Sequence, residues 1–297
     1  MISIILPTKD RPQLLSRSIS NLARVNLGES EVLIIDDSRN SESKLANREL
    51  TAKNSRLRYF DCEEYFKERK KGIGEILNFG VTNCLGEFVA RMDDDDLSFP
   101  RRFRYQQSFM RKHSLDLLGS QAINVNQFGR YRSTSYLPTK AYDVAEFLQF
   151  ENPFIHSSVM FKRQSFLRIG GYDVDLTTSQ DYDLWVRMIN SGFKCCISKK
   201  RLVIVMRWDQ SITSRTSIEE RKLNISHAKR NTSSQTTKYE KIYEVRRNIS
   251  EGNFQLLKSV LKELKIKNAA CLMSHMFYNE CIGYFKYSFF RLLRWFR

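Results

Sequence analysis

Four consecutive aspartates, Asp93–Asp96, follow the apolar segment Phe88–Met92, and Pro100 stands soon after them where a helix would begin. Adjacent carboxylates repel one another by roughly a few kcal/mol in a low-dielectric setting, so a chain gains no stability by placing four of them at the end of a buried strand. Mg²⁺ or Mn²⁺ removes this repulsion, because these ions take oxygen ligands, commonly one or two carboxylates together with substrate phosphates. The stretch therefore predicts a metal–diphosphate site, and a solvated acidic turn that caps the next helix is the alternative.

Short apolar runs alternate with helical patterns over the first 92 residues. Strands are predicted at Ile2–Leu6, Glu31–Ile35, Leu57–Phe60 and Phe88–Met92. One helix is predicted after Pro12, which suits a first helical position, and another over Gly72–Cys84. This alternation predicts right-handed crossovers and an α/β fold, with a mostly parallel sheet flanked by helices.

Two of the predicted strands end in carboxylates, one at Asp36-Asp37 and the other at Asp93–Asp96. The carboxyl ends of parallel strands lie on one rim of the sheet, where open α/β sheets bind their ligands. We therefore expect both clusters to face one cleft. The first cluster suits the hydroxyls or the imide N–H of a nucleoside, because carboxylates accept hydrogen bonds from both. The sequence contains no glycine-rich dinucleotide or P-loop motif.

The alternation continues to about residue 210. Helices are predicted at Arg101–Lys112, at Asp143–Phe150 with Asp143 as its cap, and at Asp181–Ser191. Strands are predicted at Leu115–Val125, within Asn152–Lys162, at Phe193–Ile197 and at Leu202–Met206, with a polar loop at Arg130–Lys140. In the helix over 181–191, helical spacing predicts four inward-facing side chains: Leu184, Trp185, Met188 and Ile189.

The pattern changes after Ser211, and residues 215–297 are predicted to form a basic helical C-terminal extension, separate from a domain over 1–214. On a helical wheel, the segment 281–297 combines an apolar arc with a basic flank. We expect this helix to lie on an anionic membrane surface, or else to pack on the domain or on a second copy of the chain in a homo-oligomer.

The net charge of +16 predicts an anionic partner, which can be a nucleic acid, a membrane surface or a phosphorylated substrate. Nucleic acid is disfavoured, because the acidic clusters would repel phosphate without a metal and no nucleic-acid-binding motif is visible. The six cysteines form no CxxC pair and fit reduced thiols. Without a signal-peptide pattern or an apolar run of about 18 residues, the expected location is the cytoplasm, including the inner face of the plasma membrane.

Several motifs in order give the chain a family resemblance over roughly residues 1–210. They are PTKDRP at 7–12, VLIIDDS at 32–38, GIGEILNFGVTNCLGEFVARMDDDD at 72–96, NPFIHSSVMFKR at 152–163, GGYD at 170–173 and SQDYDLWVRM at 179–188. Together they resemble the inverting glycosyltransferases of family 2, which have the GT-A nucleotide-sugar fold.

The resemblance implies a donor side and a metal side for the site. Thr8 and Asp37 would bind the nucleoside, with Asp10 nearby. Asp93 and Asp95 would be the outer members of a DxD motif that binds the nucleotide sugar, with Asp94 between them. Asp95, with Asp93, would hold Mn²⁺ or Mg²⁺.

The resemblance also implies an acceptor side. Asp181 would be the catalytic base, and His156 and Trp185 would line the acceptor side. Capping of its helix is the structural alternative for Asp181. Two positions depart from the family pattern: Gln180 replaces a common Glu, and Leu77 replaces a common Arg. Help with the pyrophosphate would then come from Lys9, Arg91 or Lys71.

The implied reaction moves a sugar from a nucleoside-diphosphate sugar, first of all a UDP-sugar, to a saccharide or a lipid-linked saccharide. One displacement on an α-linked donor would give a β-linked product, as in the synthesis of bacterial surface polysaccharide. A metal-dependent nucleotidyltransferase and a non-catalytic binding protein that retains the fold are the alternatives.

Overall fold

The computed structural model describes residues 1–66, 72–135, 137–148 and 152–208. The predicted C-terminal region 215–297, its helix over 281–297 and Lys71 lie outside these residues. In the described part of the chain, no helix is long and apolar enough to cross a membrane.

Strands and helices alternate along the chain much as the sequence predicts. The strands are β1 Ile2–Thr8, β2 Ser30–Asp36, β3 Leu57–Asp61, β4 Phe88–Arg91, β5 Leu97–Ser98, β6 Leu117–Asn126, β7 Tyr131–Thr134, β8 Met160–Lys162 and β9 Cys195–Arg207. The helices are α1 Pro12–Ala23, α2 Ser41–Ala52, α3 Cys62–Tyr65, α4 Gly72–Asn83, α5 Arg102–His113, α6 Ala141–Leu148, α7 Arg163–Arg168 and α8 Gln180–Asn190, and a 3₁₀ turn covers His156–Ser158.

All nine strands described belong to one mixed sheet with the order β3-β2-β1-β4-β8-β6-β9-β5, and β7 pairs with β6. The first four strands in this order are parallel, as predicted. Strand β8 is antiparallel to both of its neighbours, so β4, β6 and β9 run in the same direction. The carboxyl ends of β1, β2, β4, β6 and β9 therefore lie on one rim.

Register places the functional segments at this rim. Thr8 at the end of β1 pairs with Asp36 at the end of β2. Ile5 of β1 pairs with Arg91 of β4, so the aspartates that follow β4 lie at the level where β1 ends. All seven residues of β1 are buried, because α-helices cover both faces of a parallel sheet.

Strand β9 corrects the prediction of two separate late strands at Phe193–Ile197 and Leu202–Met206. It is one strand whose register against β6 shifts near Gln121, where Ser120 pairs with Ser198 but Gln121 pairs with Arg201. The extra residues Lys199 and Lys200 are exposed and polar, so they interrupt the apolar pattern without ending the strand.

Two further predictions need correction. Part of the predicted loop Arg130–Lys140 forms β7, which pairs antiparallel with β6 after a turn at Gly129 (φ +75°). Asp143 does not cap α6, because the helix begins at Ala141 and Asp143 lies in its first turn.

Candidate active site

The four aspartates after β4 alternate between cleft and interior. The side chain of Asp93 is 36% exposed and that of Asp95 15%, whereas the side chain of Asp94 has no exposed surface and Asp96 is 3% exposed. The backbone turns here, with the N–H of Asp96 donating to the carbonyl of Asp93 at 3.3 Å. The structure thus presents Asp93 and Asp95, the outer members of the predicted DxD motif, at the surface of the rim.

Asp94, which was expected to bind the nucleotide sugar, holds the loop in place. Its carboxylate accepts hydrogen bonds from Thr8 Oγ1 at 2.8 Å and from Arg11 Nη2 at 2.6 Å. Ser18 Oγ donates to the Asp94 carbonyl at 2.7 Å. The structure thus assigns the Asp94 side chain to the support of the loop, and its contact with a nucleotide sugar stays a prediction.

Thr8 joins the two acidic clusters of the rim. While its hydroxyl donates to Asp94, its carbonyl accepts a 2.8 Å hydrogen bond from the N–H of Asp37. The hydroxyl is therefore committed to the aspartate loop, and the contact of Thr8 with a nucleoside stays a prediction. This contact confirms that the clusters at 36–37 and 93–96 meet at one edge of the sheet.

Burial changes the protonation of the aspartate loop. It raises the pKa of Asp94 to about 7, although Arg11 and Thr8 act in the opposite direction. It also raises the pKa of Asp96, with the charges of Asp93 and Asp95 adding to the effect. The loop therefore carries less than four full negative charges at neutral pH.

Asp93 and Asp95 differ in how the protein balances their charge. Burial alone would raise the pKa of Asp93, but the Arg91 guanidinium, at 2.6 Å, holds it below its usual value. The pKa of Asp95 is raised by burial and by the charge of Asp93. The repulsion between these two carboxylates is only partly offset by Arg11, which lies 3.3 Å from Asp95.

This donor set fits a hard divalent cation. In the described residues no group of three or more His, Cys, Asp or Glu side chains is arranged to hold a metal by itself. Asp93 and Asp95 would therefore supply two carboxylates, and the remaining ligands would be substrate phosphates and water, which is common for Mg²⁺. A cation between them would also relieve the repulsion that raises the pKa of Asp95.

The positively charged side chains near the aspartates differ from those that the sequence analysis named. Arg91 is only 2% exposed and is committed to Asp93 and to the Met92 carbonyl, so it does not reach the cleft. Lys9 is half exposed and pairs with Asp37 at 3.3 Å. Arg11, which the sequence reasoning missed, contacts the aspartate loop while 46% of its side chain stays exposed.

On the nucleoside side, Asp37 is largely buried and keeps Lys9 as its ionic partner. Asp10 lies in the left-handed region (φ +51°), and its Oδ1 accepts hydrogen bonds of 2.9 Å from the N–H groups of Arg39 and Asn40. Asp10 therefore fixes the loop that follows Asp37. Its predicted place near the nucleoside site is consistent with this position.

Asp36 was expected to face the cleft with Asp37, but it is fully buried. Its carboxylate accepts hydrogen bonds from the Ser38 N–H at 2.8 Å, from Asn47 Nδ2 at 2.9 Å and from Tyr59 Oη at 2.8 Å. Asp36 thus anchors the turn after β2, and Asp37 is the member of the pair with exposed surface at the rim.

Asp181 is the second residue of α8, and the N-cap position belongs to Ser179. Capping therefore does not explain Asp181. Its Oδ2 accepts a 2.7 Å hydrogen bond from Asn152 Nδ2, while Asn152 Oδ1 accepts from the Phe154 N–H at 3.0 Å. Asn152, another residue that sequence reasoning missed, thus fixes the orientation of the Asp181 carboxylate.

The charges of both Asp181 and Asp93 act on the imidazole of His156. Its Nε2 is 2.8 Å from Tyr172 Oη. Burial lowers the pKa of His156 to about 4, with the Arg91 charge acting in the same direction, so the ring is neutral at pH 7. His156 can therefore donate or accept a hydrogen bond but contributes no positive charge.

Trp185 supports this site from within the core. It has no exposed surface, and its ring lies edge to face with that of His156 at 6.2 Å between centroids. The inward orientation predicted for Leu184, Trp185 and Met188 is confirmed, while Ile189 is half-buried. Trp185 therefore packs against His156, and its place on the acceptor side stays a prediction.

Sequence comparison decides the family. The family described as "Glycosyl transferase family 2" matches residues 3–170, more than half of the chain. This chain belongs to glycosyl transferase family 2. The amylovoran biosynthesis glycosyltransferase AmsE of Erwinia amylovora is 31% identical over 192 residues, which cover 64% of this chain and 70% of AmsE.

A second relative is the UDP-Gal:alpha-D-GlcNAc-diphosphoundecaprenol beta-1,3-galactosyltransferase of Escherichia coli. It is 27% identical over 186 residues, 62% of this chain and 65% of the relative. The O-antigen biosynthesis glycosyltransferase WbnJ of E. coli is 28% identical over 194 residues, 64% of this chain and 72% of WbnJ.

Solved structures confirm the predicted GT-A fold. S. aureus TarS 1–349 in complex with UDP-GlcNAc superposes with a TM-score of 0.64 at 16% identity, covering 84% of this chain and 72% of TarS 1–349. The mannosyltransferase PcManGT from Pyrobaculum calidifontis, in complex with GDP-Man and Mn²⁺, gives 0.60 at 15% identity, covering 92% and 78%. This family 2 glycosyltransferase therefore has the mixed α/β sheet of the GT-A enzymes.

Proposed function

We propose that this family 2 glycosyltransferase is a metal-dependent inverting enzyme that moves a hexosyl or N-acetylhexosaminyl group from a UDP-sugar to an acceptor hydroxyl. One observation carries this proposal: Asp93 and Asp95 are presented at the rim, Thr8 links their loop to Asp37, and Asn152 orients Asp181, while the charges of Asp93 and Asp181 both act on His156. The arrangement offers one place for a nucleoside diphosphate and a separate carboxylate for the acceptor.

On the donor side, Asp37 would accept hydrogen bonds from the nucleoside, with Asp10 holding the adjacent loop. Asp93 and Asp95 would hold Mn²⁺ or Mg²⁺. When bound, such a cation stabilises the negative charge that develops on a leaving diphosphate, worth roughly several kcal/mol. Arg11 is well placed to add a second positive charge, because its exposed guanidinium already lies at the aspartate loop.

On the acceptor side, Asp181 would take the proton of the attacking hydroxyl. Asp181 lies in the first turn of α8, and Asn152 orients its carboxylate. The neutral imidazole of His156 would hydrogen-bond the acceptor or the transferred sugar. A single base and one direct displacement would invert the anomeric centre, so that an α-linked donor gives a β-linked product.

The relatives support a role in bacterial surface polysaccharide synthesis. AmsE acts in amylovoran biosynthesis and WbnJ in O-antigen biosynthesis, by their names. The E. coli galactosyltransferase has a UDP-sugar donor, a diphosphoundecaprenol-linked acceptor and a beta-1,3 product. By analogy, we propose a saccharide or lipid-linked saccharide acceptor for this chain, reached at the inner face of the plasma membrane.

The proposal assigns catalysis to residues 1–214 and membrane contact or self-association to residues 215–297. Donor choice can be tested by thermal unfolding with UDP-, GDP- and dTDP-sugars, each with and without Mn²⁺. A ligand at 100 times its dissociation constant adds about 2.7 kcal/mol of stability. Stabilisation by a UDP-sugar that requires Mn²⁺ is expected, and NMR of the transferred product should show a β anomeric proton. An α product would contradict the inverting mechanism.

A further inference from the structure

The end of β9 contacts the aspartate loop through two hydrogen bonds. The N–H of Met206 donates to Oδ1 of Asp96 at 2.9 Å. Just after the strand, the indole N–H of Trp208 donates to Oδ2 of Asp95, also at 2.9 Å. Met206 and Trp208 thus bond to two adjacent aspartates that lie more than 100 positions earlier in the chain. No motif quoted from the sequence includes Trp208.

We propose that Trp208 is a positioning residue that holds the Asp95 carboxylate for a divalent cation. The inference rests on the proposed function, because it concerns the metal–diphosphate half of that site. Asp95 presents a side chain of low exposure at the rim, and Trp208 bonds one of its two oxygens. Fixing one oxygen sets the plane of the carboxylate and the direction of the other oxygen.

The chemistry of the indole explains why this contact differs from that of Arg11. Arg11 Nη1 lies 3.3 Å from the same oxygen, longer than the roughly 2.7–2.9 Å of a strong charge-assisted bond, on a side chain that is about half exposed. The Trp208 bond is shorter and partly buried. Because an indole is neutral and can only donate, it orients Asp95 without offsetting the charge that would attract a cation.

The expected size of the effect follows from other metal sites. Ligating carboxylates are themselves hydrogen-bonded, and loss of such an outer partner typically weakens metal affinity about 10–100-fold. The variant Trp208→Phe removes the N–H and keeps an aromatic ring. We expect it to raise the Mn²⁺ concentration that gives half-maximal UDP affinity by about 10–100-fold.

The experiment measures UDP binding by isothermal titration calorimetry at a series of Mn²⁺ concentrations and in EDTA, using the full chain. In Trp208→Phe, the Mn²⁺ concentration for half-maximal UDP affinity should rise, and excess Mn²⁺ should restore that affinity. A merely loosened fold would not be restored in this way. The matched control is Arg207→Lys, which keeps the positive charge of the neighbouring residue, whose Nε bonds Asn124 Oδ1 at 3.0 Å; it should match the unmodified protein.

A second measurement needs no variant. Mn²⁺ is paramagnetic and quenches the fluorescence of a nearby indole, whereas Mg²⁺ does not. The unmodified protein should therefore lose tryptophan emission with Mn²⁺ and UDP relative to Mg²⁺ and UDP, since Trp208 contacts the proposed ligand Asp95.

The outcomes separate this inference from the proposed function. An equal Mn²⁺ requirement in Trp208→Phe and the unmodified protein would overturn the role of Trp208 while leaving the metal site intact. UDP binding to the unmodified protein that is indifferent to Mn²⁺, or emission that is the same with both metals, would overturn the metal site itself, and the role of Trp208 with it.

Discussion

Asp94 and Asp95 are adjacent in sequence and have opposite environments. The Asp94 side chain is enclosed by Thr8 and Arg11, whereas Asp95 reaches the rim. A turn within the aspartate run produces this difference, because it directs neighbouring side chains to different sides. The roles of individual aspartates therefore follow from which partners surround them rather than from their shared chemistry.

Substitution of Asp95 tests the metal site at this scale. Asp95→Ala should abolish Mn²⁺-dependent binding of UDP with the fold intact, because the cation would lose one of its two carboxylates. Binding can be measured by calorimetry in Mn²⁺ and in EDTA. Asp95→Asn is a useful companion, since an amide oxygen can still accept from Trp208 and Arg11. Equal affinity in EDTA and in Mn²⁺ for the unmodified protein would contradict the metal assignment.

Asp181 is tested by the isosteric variant Asp181→Asn. Removal of a general base should lower kcat by roughly 10²–10⁴-fold. The dissociation constant of UDP should stay nearly unchanged, because nucleotide binding is assigned to Asp37 and the metal site. Kinetics with a competent acceptor, together with calorimetry, give both quantities.

Asp183→Asn is the matched control for this experiment. Asp183 lies in the same first turn of α8, but its carboxylate is paired with Arg187 at 2.6 Å. Near-normal turnover in Asp181→Asn would falsify the assignment, and a large loss in Asp183→Asn would move the base there.

At the scale of elements, Glu31 at the start of β2 joins three segments of the sheet. It accepts hydrogen bonds from Ser3 Oγ of β1, from the Leu85 N–H that precedes β4, and from Arg58 of β3. Burial alone would raise the pKa of Glu31, but these partners outweigh it and leave the pKa below its usual value. The ionised carboxylate is therefore stabilised in the folded state.

This predicts a pH-dependent loss of stability in Glu31→Gln. A lowered pKa in the folded state contributes stability that is present above the pKa of the unfolded chain and is lost as pH falls through the folded value. The variant should therefore be less stable by about 1–3 kcal/mol at pH 7, and the difference should vanish in acid. Urea unfolding at several pH values measures it, with exposed Glu29→Gln as control. A difference that grows as pH falls would contradict the sign.

The sequence predicted elements well where the hydrophobic pattern was uninterrupted. Strands β1 to β4 and helix α8 lie within two residues of their predicted bounds. It failed at β9, where the exposed residues Lys199 and Lys200 form an irregularity that only the partner strand β6 reveals. Strand β7 was missed for a similar reason, because its residues are polar and half-exposed or exposed and its pairing depends on β6.

The acidic residues of the site could be predicted from the sequence, whereas the residues that hydrogen-bond to them could not. Adjacent carboxylates at strand ends indicate a rim from sequence alone. The roles of Arg11, Asn152 and Trp208 depend on contacts with Asp94, Asp95 and Asp181, which lie 29 to 113 residues away along the chain. No local pattern encodes such contacts, although Arg11 and Asn152 do fall within motifs that carried the family resemblance.

At the scale of the whole molecule, the segment 281–297 gives a testable prediction outside the described residues. Deletion of the residues after Asn279 should reduce co-sedimentation with anionic liposomes, because basic residues near such a surface contribute roughly 1 kcal/mol each and an apolar arc can enter the headgroup region. Neutral phosphatidylcholine vesicles are the control. Unchanged sedimentation of the shortened chain would exclude the membrane role, and a change in its oligomeric state would favour self-association instead.

The hydrogen bond between Met206 and Asp96 spans 110 residues. During synthesis, the aspartate loop leaves the ribosome long before β9 does, so the buried Asp96 carboxylate lacks this donor until β9 has emerged. Domains of this size gain their non-local contacts late, after the entropy of closing long loops has been overcome. A nascent chain should therefore acquire donor affinity only once β9 has emerged, so that nucleotide binding would report when this strand has joined the sheet.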